Sequence, residues 1–157
     1  MAFDRAGNLV IAGGYGNNRI RVVAETTGTF YGKAMTAGDI YTVAGGGTDL
    51  PDNGIPATGA RLGDPRAVAV DHAGNLLISD AETGRIRLVA VATGTFYGQA
   101  MTAGDIYTVA GGGQGRVEDG GPGTGARLLR PQGVAAGPAG SIVIADSDNG
   151  LIRTVTG

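Results

Sequence analysis

The chain has 157 residues, of which 31 are Gly, 6 are Pro and none is Cys; 42% are hydrophobic, 17% are charged, and the formal net charge is −2. That size fits one domain or a piece of a larger one, and the ordinary apolar fraction excludes a solvated, disordered polymer despite the glycine. The near-neutral charge and unclustered basic residues exclude a nucleic-acid footprint, zero cysteine removes disulfides and thiolate sites, and no apolar run reaches the roughly 20 residues of a membrane helix.

In chain order, residues 1–5 carry no basic-then-apolar leader pattern. Residues 4–21 are short and extended and match residues 71–87 with one extra residue near Gly14. Residues 28–47 read G-T-F-Y-G-K-A-M-T-A-G-D-I-Y-T-V-A-G-G-G, and residues 94–113 repeat them with Gln99 for Lys33. The offset is 66 residues, and it also carries residues 58–62 onto 124–128, Pro65 onto Pro131, residues 76–80 onto 142–146, and Ile86-Arg87 onto Ile152-Arg153. The chain therefore holds about 2.4 copies of one unit.

Within the second unit, residues 67–70 predict a strand, 71–75 a turn, 76–78 a strand and 82–84 a turn. Residues 85–90 predict a third strand, in which Ile86 and Leu88 alternate with Arg85 and Arg87 and leave one wet face. An excursion over 93–105 precedes a fourth strand at 106–110, ended by Gly111-Gly112-Gly113. Helical periodicity is absent, apart from room for one turn at 60–62. Four antiparallel strands repeated in tandem predict an all-β fold of β-propeller blades. The boundaries are blade 1 at 1–47 with a short first strand, a linker at 48–66, blade 2 at 67–113, a linker at 114–132, and a partial blade 3 at 133–157 lacking its outer strand. Such a ring is incomplete, with two apolar blade faces and one strand edge open. Either the chain is a fragment of a longer gene or copies self-associate head to tail.

The residues Val68-Ala69-Val70-Asp71-x-x-Gly74-Asn75-Leu76-Leu77-Ile78-x-Asp80, followed by Arg85-Ile86-Arg87, resemble the NHL repeat. The Pro56 to Pro65 stretch resembles the linkers of bacterial NHL proteins, and the G-T-F-Y-G excursion an actinobacterial elaboration. The resemblance implies an NHL β-propeller whose signature positions, Asp71, Gly74, Asn75, Asp80, Arg87, Asp146 and Arg153, shape blades. It also implies an extracellular or cell-surface location, since similar proteins are often secreted. Three departures are expected to weaken single turns: Gly14 where Asp80 and Asp146 stand, Ala67 in place of Gly, and Gly137 in place of a turn Asp.

Chemistry is sparse. His72 is the only histidine, so neither a Ser-His-Asp set nor a multi-histidine metal site fits in one chain, and a solvated turn position is expected for it. Ser79, Ser141 and Ser147 stand outside any G-x-S-x-G motif. Asp80 and Asp146 either hold turn amides or pair with Arg87 and Arg153, or they line a channel mouth able to take a hard cation. Asp146-x-Asp148-x-Gly150 has calcium-like spacing without the later ligands. Gly121-x-Gly123-x-x-Ala126 lacks the strand-to-helix setting of a dinucleotide site, and Gly32-Lys33-Ala34 lacks a phosphate-loop pattern. Phe30, Tyr31, Phe96 and Tyr97 either pack within a hairpin extension or form a repeated aromatic platform for a protein, peptide or glycan. The expected function is a non-catalytic, cofactor-free interaction scaffold that associates with copies of itself. The alternative is part of a six-bladed lactonase- or lyase-like enzyme using a central metal.

Overall fold

The computed structural model describes residues 1–49, 53–115 and 119–156. Residues 50–52 and 116–118 of the two linkers, and Gly157 of blade 3, lie outside the described residues. Blade 1 is a four-stranded sheet of β1 (Ala2–Phe3), β2 (Leu9–Gly13), β3 (Arg19–Val23) and β6 (Ile40–Gly45), with the hairpin β4 (Gly28–Phe30) and β5 (Lys33–Met35) inserted before β6. β7 (Ile55–Pro56) lies between the blades in sequence. Blade 2 comprises β8 (Pro65–Val70), β9 (Leu76–Asp80), β10 (Arg85–Val89) and β13 (Asp105–Gly111), with the hairpin β11 (Gly94–Phe96) and β12 (Gln99–Met101). β14 (Gly133–Ala136), β15 (Ile142–Asp146) and β16 (Leu151–Val155) form the three-stranded third blade.

Every ladder within a blade is antiparallel, so consecutive short strands need only tight turns. A register shift at Ile20/Arg21 recurs at Ile86/Arg87, which gives the outer strands of both complete blades the same local bend. The linker does more than connect. β7 pairs with the outer edge of blade 2, setting Ile55 against Ile106 and Pro56 against Asp105, so that sheet has five strands. One-turn helical geometry occurs at Gly123–Gly125, Pro138–Gly140 and Ser147–Asn149. It does not occur at 60–62, where Ala60 instead bridges Asp49 in parallel.

The apolar core lies between blades rather than within them. Leu76 and Ile78 of β9 join Val10, Ile20, Val22 and Val43 of blade 1 in one cluster. Leu77 faces the other way and joins Ile86, Leu88, Val109, Ile142 and Ile144 in a second cluster. The uninterrupted Leu76-Leu77-Ile78 run follows from this sandwiching, because alternate side chains enter different interfaces and all are buried. The same geometry corrects the expectation of a wet face on β10. A neighbouring blade covers each side, and Arg87 is fully buried. Blades 1 and 3 each keep one uncovered side, and Ile152, at the position of the fully buried Ile86, is 74% exposed.

Candidate functional site

Each complete blade projects a hairpin with a two-residue loop, Tyr31-Gly32 in blade 1 and Tyr97-Gly98 in blade 2. The φ angles are 52° and 71° in the first and 49° and 73° in the second. Such a primed turn matches strand twist and needs positive φ at both loop positions, which Gly supplies freely and Tyr adopts under tertiary restraint. That restraint is visible. The Tyr31 hydroxyl donates to Asp4 Oδ2 at 2.8 Å, and the Tyr97 hydroxyl donates to Asp71 Oδ2 at 3.2 Å.

Each Asp is already the centre of a blade turn. Asp71 Oδ1 accepts the amides of Ala73 and Asn75, Oδ2 accepts Asn75 Nδ2, and Asn75 Oδ1 accepts the Val91 amide. Asp4, Asn8 and Glu25 reproduce the arrangement in blade 1. Burial, together with the hydrogen bond and charge of Asp4, pushes the Tyr31 hydroxyl above its ordinary value of 10.0; burial and Asp71 do the same for Tyr97. Both hydroxyls therefore stay protonated and donate.

Other restraints hold the hairpin against the outer strand. Lys33 Nζ donates to the Thr42 carbonyl and Gln99 Nε2 to the Thr108 carbonyl, so the one residue that differs between the two copies does the same work. Thr36 and Thr102 donate their amides to the hydroxyls of Tyr41 and Tyr107 at 2.9 Å in both copies. Met35 and Met101, which end β5 and β12, are buried. The Phe30 ring lies over Gly28 and the Phe96 ring over Gly94, where a Cβ would stand only 3.1 and 3.3 Å from the ring atoms. Phe30, Tyr31, Phe96 and Tyr97 are half-buried against the core clusters, while Thr29 and Thr95 stay exposed.

Between blades 2 and 3, this hairpin opens a pocket of about 250 Å³. Phe96, Tyr97 and Thr95 form one wall, the turn Asp71-His72-Ala73 the floor, and Gly137, Ala139 and Gly140 of the next blade the far side. The pocket thus gathers Phe96, Tyr97 and His72, which the sequence singled out on separate grounds. Between blades 1 and 2 the Arg5 guanidinium donates to the His72 carbonyl. Blade 3 replaces the turn Asp with Gly137. There the Gly137 amide donates to the Ser141 carbonyl and Ser141 Oγ to the Pro138 carbonyl.

The remaining signature residues lie in the frame. Asp80 Oδ1 accepts the Gly63 and Asp64 amides at 2.9 Å, tying the entering linker to β9. Burial raises the Asp80 carboxyl above its ordinary range, while these amides and the nearby Arg87 oppose the rise. Asp146 does the same work in blade 3: it accepts the Leu129 amide and Asn149 Nδ2, and its Oδ2 lies 3.7 Å from Arg153 Nη1. Ser79 Oγ donates to the Pro131 carbonyl at 2.5 Å and fastens blade 2 to the linker of blade 3. Gly14 has a reason that the sequence concealed. Asp64 Oδ1 occupies the space its side chain would take and accepts the Tyr15 amide at 3.1 Å, and Arg66 both pairs with Asp64 at 2.6 Å and stacks 4.2 Å over the Tyr15 ring. Asp148 pairs loosely with Arg130 at 3.9 Å, and no three His, Asp or Glu side chains converge as a metal cage among the described residues.

Residues 128–154 match the NHL repeat family. No curated protein sequence matches the chain. A structural genomics protein of unknown function from Bacteroides thetaiotaomicron VPI-5482 has a similar fold, with a TM-score of 0.67 and 16% identity over 94% of this chain and 32% of that one. An auxiliary nutrient binding protein from the same organism gives a TM-score of 0.57 and 20% identity over 94% of this chain and 37% of that one. Virginiamycin B lyase from Staphylococcus aureus gives 0.49 and 15% over 99% of this chain and 39% of that one. The chain spans about a third of the length of the first two, and at these identities the likeness is one of fold.

Proposed function

We propose that this chain, a run of NHL-repeat propeller blades, serves as a non-catalytic binding scaffold whose ligand surface is the anchored aromatic hairpin. One observation carries the reading: the pocket beside Phe96, Tyr97 and His72 is built from two blades, and its hairpin wall is fixed by the Tyr97–Asp71 bond. Rigid aromatic side chains give contact area at little entropic cost, which favours a planar ring from a peptide side chain or a sugar as the ligand group. The carboxylates that a hydrolase or lyase would need are engaged by backbone amides, which supports a framework role for them. A solved structure of the same fold is described as an auxiliary nutrient binding protein, and ligand binding by such blades agrees with the reading.

The reading is tested by NMR titration with a tryptophan-containing tripeptide and, separately, with a disaccharide. Shifts confined to Phe96, Tyr97, His72 and Gly140, and abolished by Phe96→Ala, are the expected result. Binding that survives Phe96→Ala, or no response to either probe, removes the hairpin as the ligand surface. Stoichiometric metal retained after exhaustive dialysis favours the metal-enzyme alternative instead.

A further inference from the structure

We propose that a cleft in blade 2, at the end of the strands opposite the hairpin, binds the tetrahedral oxyanion of a small phosphate or sulfate ester between the guanidinium groups of Arg127 and Arg130. The cleft holds about 240 Å³ between the turn after β9, the residues Gly112-Gly113 after β13, and the linker that enters blade 3. It is separate from the pocket beside Phe96, because the hairpin joins β10 to β13 whereas this turn joins β9 to β10. Its walls belong to a complete blade and the linker that leaves it, not to the open side of blade 3.

The repeat supplies the comparison. At the 66-residue offset Arg19 becomes Arg85, Arg61 becomes Arg127, and Asp64 becomes Arg130. In the first unit the Asp64 carboxylate accepts the Tyr15 amide and pairs with Arg66, so that position carries its own anion. In the second unit the same position brings a third guanidinium, and Gln132 stands where Arg66 stood. Among the described residues Arg127 has no ion-pair partner, and Arg130, with its side chain 60% exposed, reaches Asp148 only at 3.9 Å. The Arg130 backbone has φ of 44°, a left-handed strain that Asp64 does not share. Glu82, the one carboxylate in the wall, turns toward Gly63 of the preceding linker, where a Cβ would stand 3.2 Å from its Oε2. Arg85 lies along Gly112, where a Cβ would stand 2.8 Å from its Nε. The positive groups thus line the cleft and the negative one leans away. Guanidinium forks match the oxygens of phosphate and sulfate, and a volume several times the roughly 30 Å³ of a water leaves room for an organic remainder.

The test is an NMR titration of the whole chain with glucose 6-phosphate, glucose 6-sulfate and glucose at constant ionic strength. The expected result is that one or both esters shift the amides of residues 112–114 and 127–130 while glucose does not, and the ester that binds identifies the oxyanion. Arg127→Gln and Arg130→Asp, which restores the residue of the first unit, should each weaken binding by about tenfold. Arg61→Gln and Phe96→Ala should leave it unchanged, which separates this site from the hairpin pocket. Both arginines are exposed, and unaltered Phe96 and Tyr97 signals report that each variant is folded. No shift from either ester, an equal response to glucose, shifts elsewhere in the chain, or binding that both arginine variants retain overturns the proposal.

Discussion

One hydroxyl fixes each hairpin to its blade, and its removal has a defined consequence. Tyr97→Phe keeps the ring against the core and deletes the bond to Asp71, so it should lower stability by about 1 kcal/mol in chemical denaturation. Both Tyr31 and Tyr97 have their hydroxyls pushed above the ordinary value of 10.0 in the folded state. A raised folded value means that the stabilisation is fully present below pH 10.0 and is lost as pH rises beyond it. The parent chain should therefore lose stability above that point more steeply than Tyr31→Phe plus Tyr97→Phe; parallel profiles would contradict the anchor. Asp80 makes a second contrast. Asp80→Ala strands the Gly63 and Asp64 amides and takes the opposite charge from beside the buried Arg87, and should cost about 3 kcal/mol, whereas Asp80→Asn keeps an acceptor for the amides and should cost less. At this scale the sequence was informative about residue type and silent about partners. Phe30, Tyr31, Phe96 and Tyr97 stood out because aromatics are rare, but which carboxylate received each hydroxyl depends on a separation of 27 residues in blade 1 and 26 in blade 2. Asp64 gave no signal, because it stands in the linker before blade 2 and acts back on Gly14 and Tyr15 of blade 1.

At the scale of elements, the outer strand is the piece whose fit is most exacting. Gly111 ends β13 with φ of 80°, and a Cβ there would run into the Gly84 carbonyl and the Leu128 side chain. Gly111→Ala combines left-handed strain with that clash and should lower stability by about 2–4 kcal/mol, read as a clear fall in Tm. A neutral outcome would mean that β13 is not seated as described. Strand positions were legible because turn residues punctuate every few positions and the repeat averages out accidents: β9, β10 and β13 sit where the apolar runs and glycines put them. The wet face of β10 was not legible. Alternation reports a period of two, yet both faces of a blade meet other blades, and the buried Arg87 lies near the carboxylate of Asp80. The pairing of β7 with β13 was equally hidden, since two residues beside a proline carry no pattern of their own.

Over the whole molecule, stability resides in the two interfaces between blades, and the sides of blades 1 and 3 that lack a neighbour are where association is expected. Ser79→Ala removes the bond to the Pro131 carbonyl and should loosen blade 3 from blade 2 by about 1 kcal/mol, seen as faster exchange in β14 and β15. Light scattering should show mass rising with concentration, reduced by Ile152→Lys, which charges a residue that is 74% exposed on the open side of blade 3. A concentration-independent monomer would remove self-association. The repeat itself was readable from the 66-residue offset, because near-identity over 20 residues leaves one unit and its copies as the simplest description. What closes the open side was not readable, for a blade's sequence specifies its own strands and only half of each interface.

The central claim is that repeated four-stranded blades, complete in the first two units and open at the third, make up the molecule. Residue-resolved amide hydrogen exchange on the dilute chain tests it most directly. β3 and β10 should be protected along both edges by β2 and β6 and by β9 and β13, while β16 should exchange rapidly along the edge turned away from β15. Uniform protection of β16 in a monomer, or exchange that ignores the boundary between blades 2 and 3, would contradict the account.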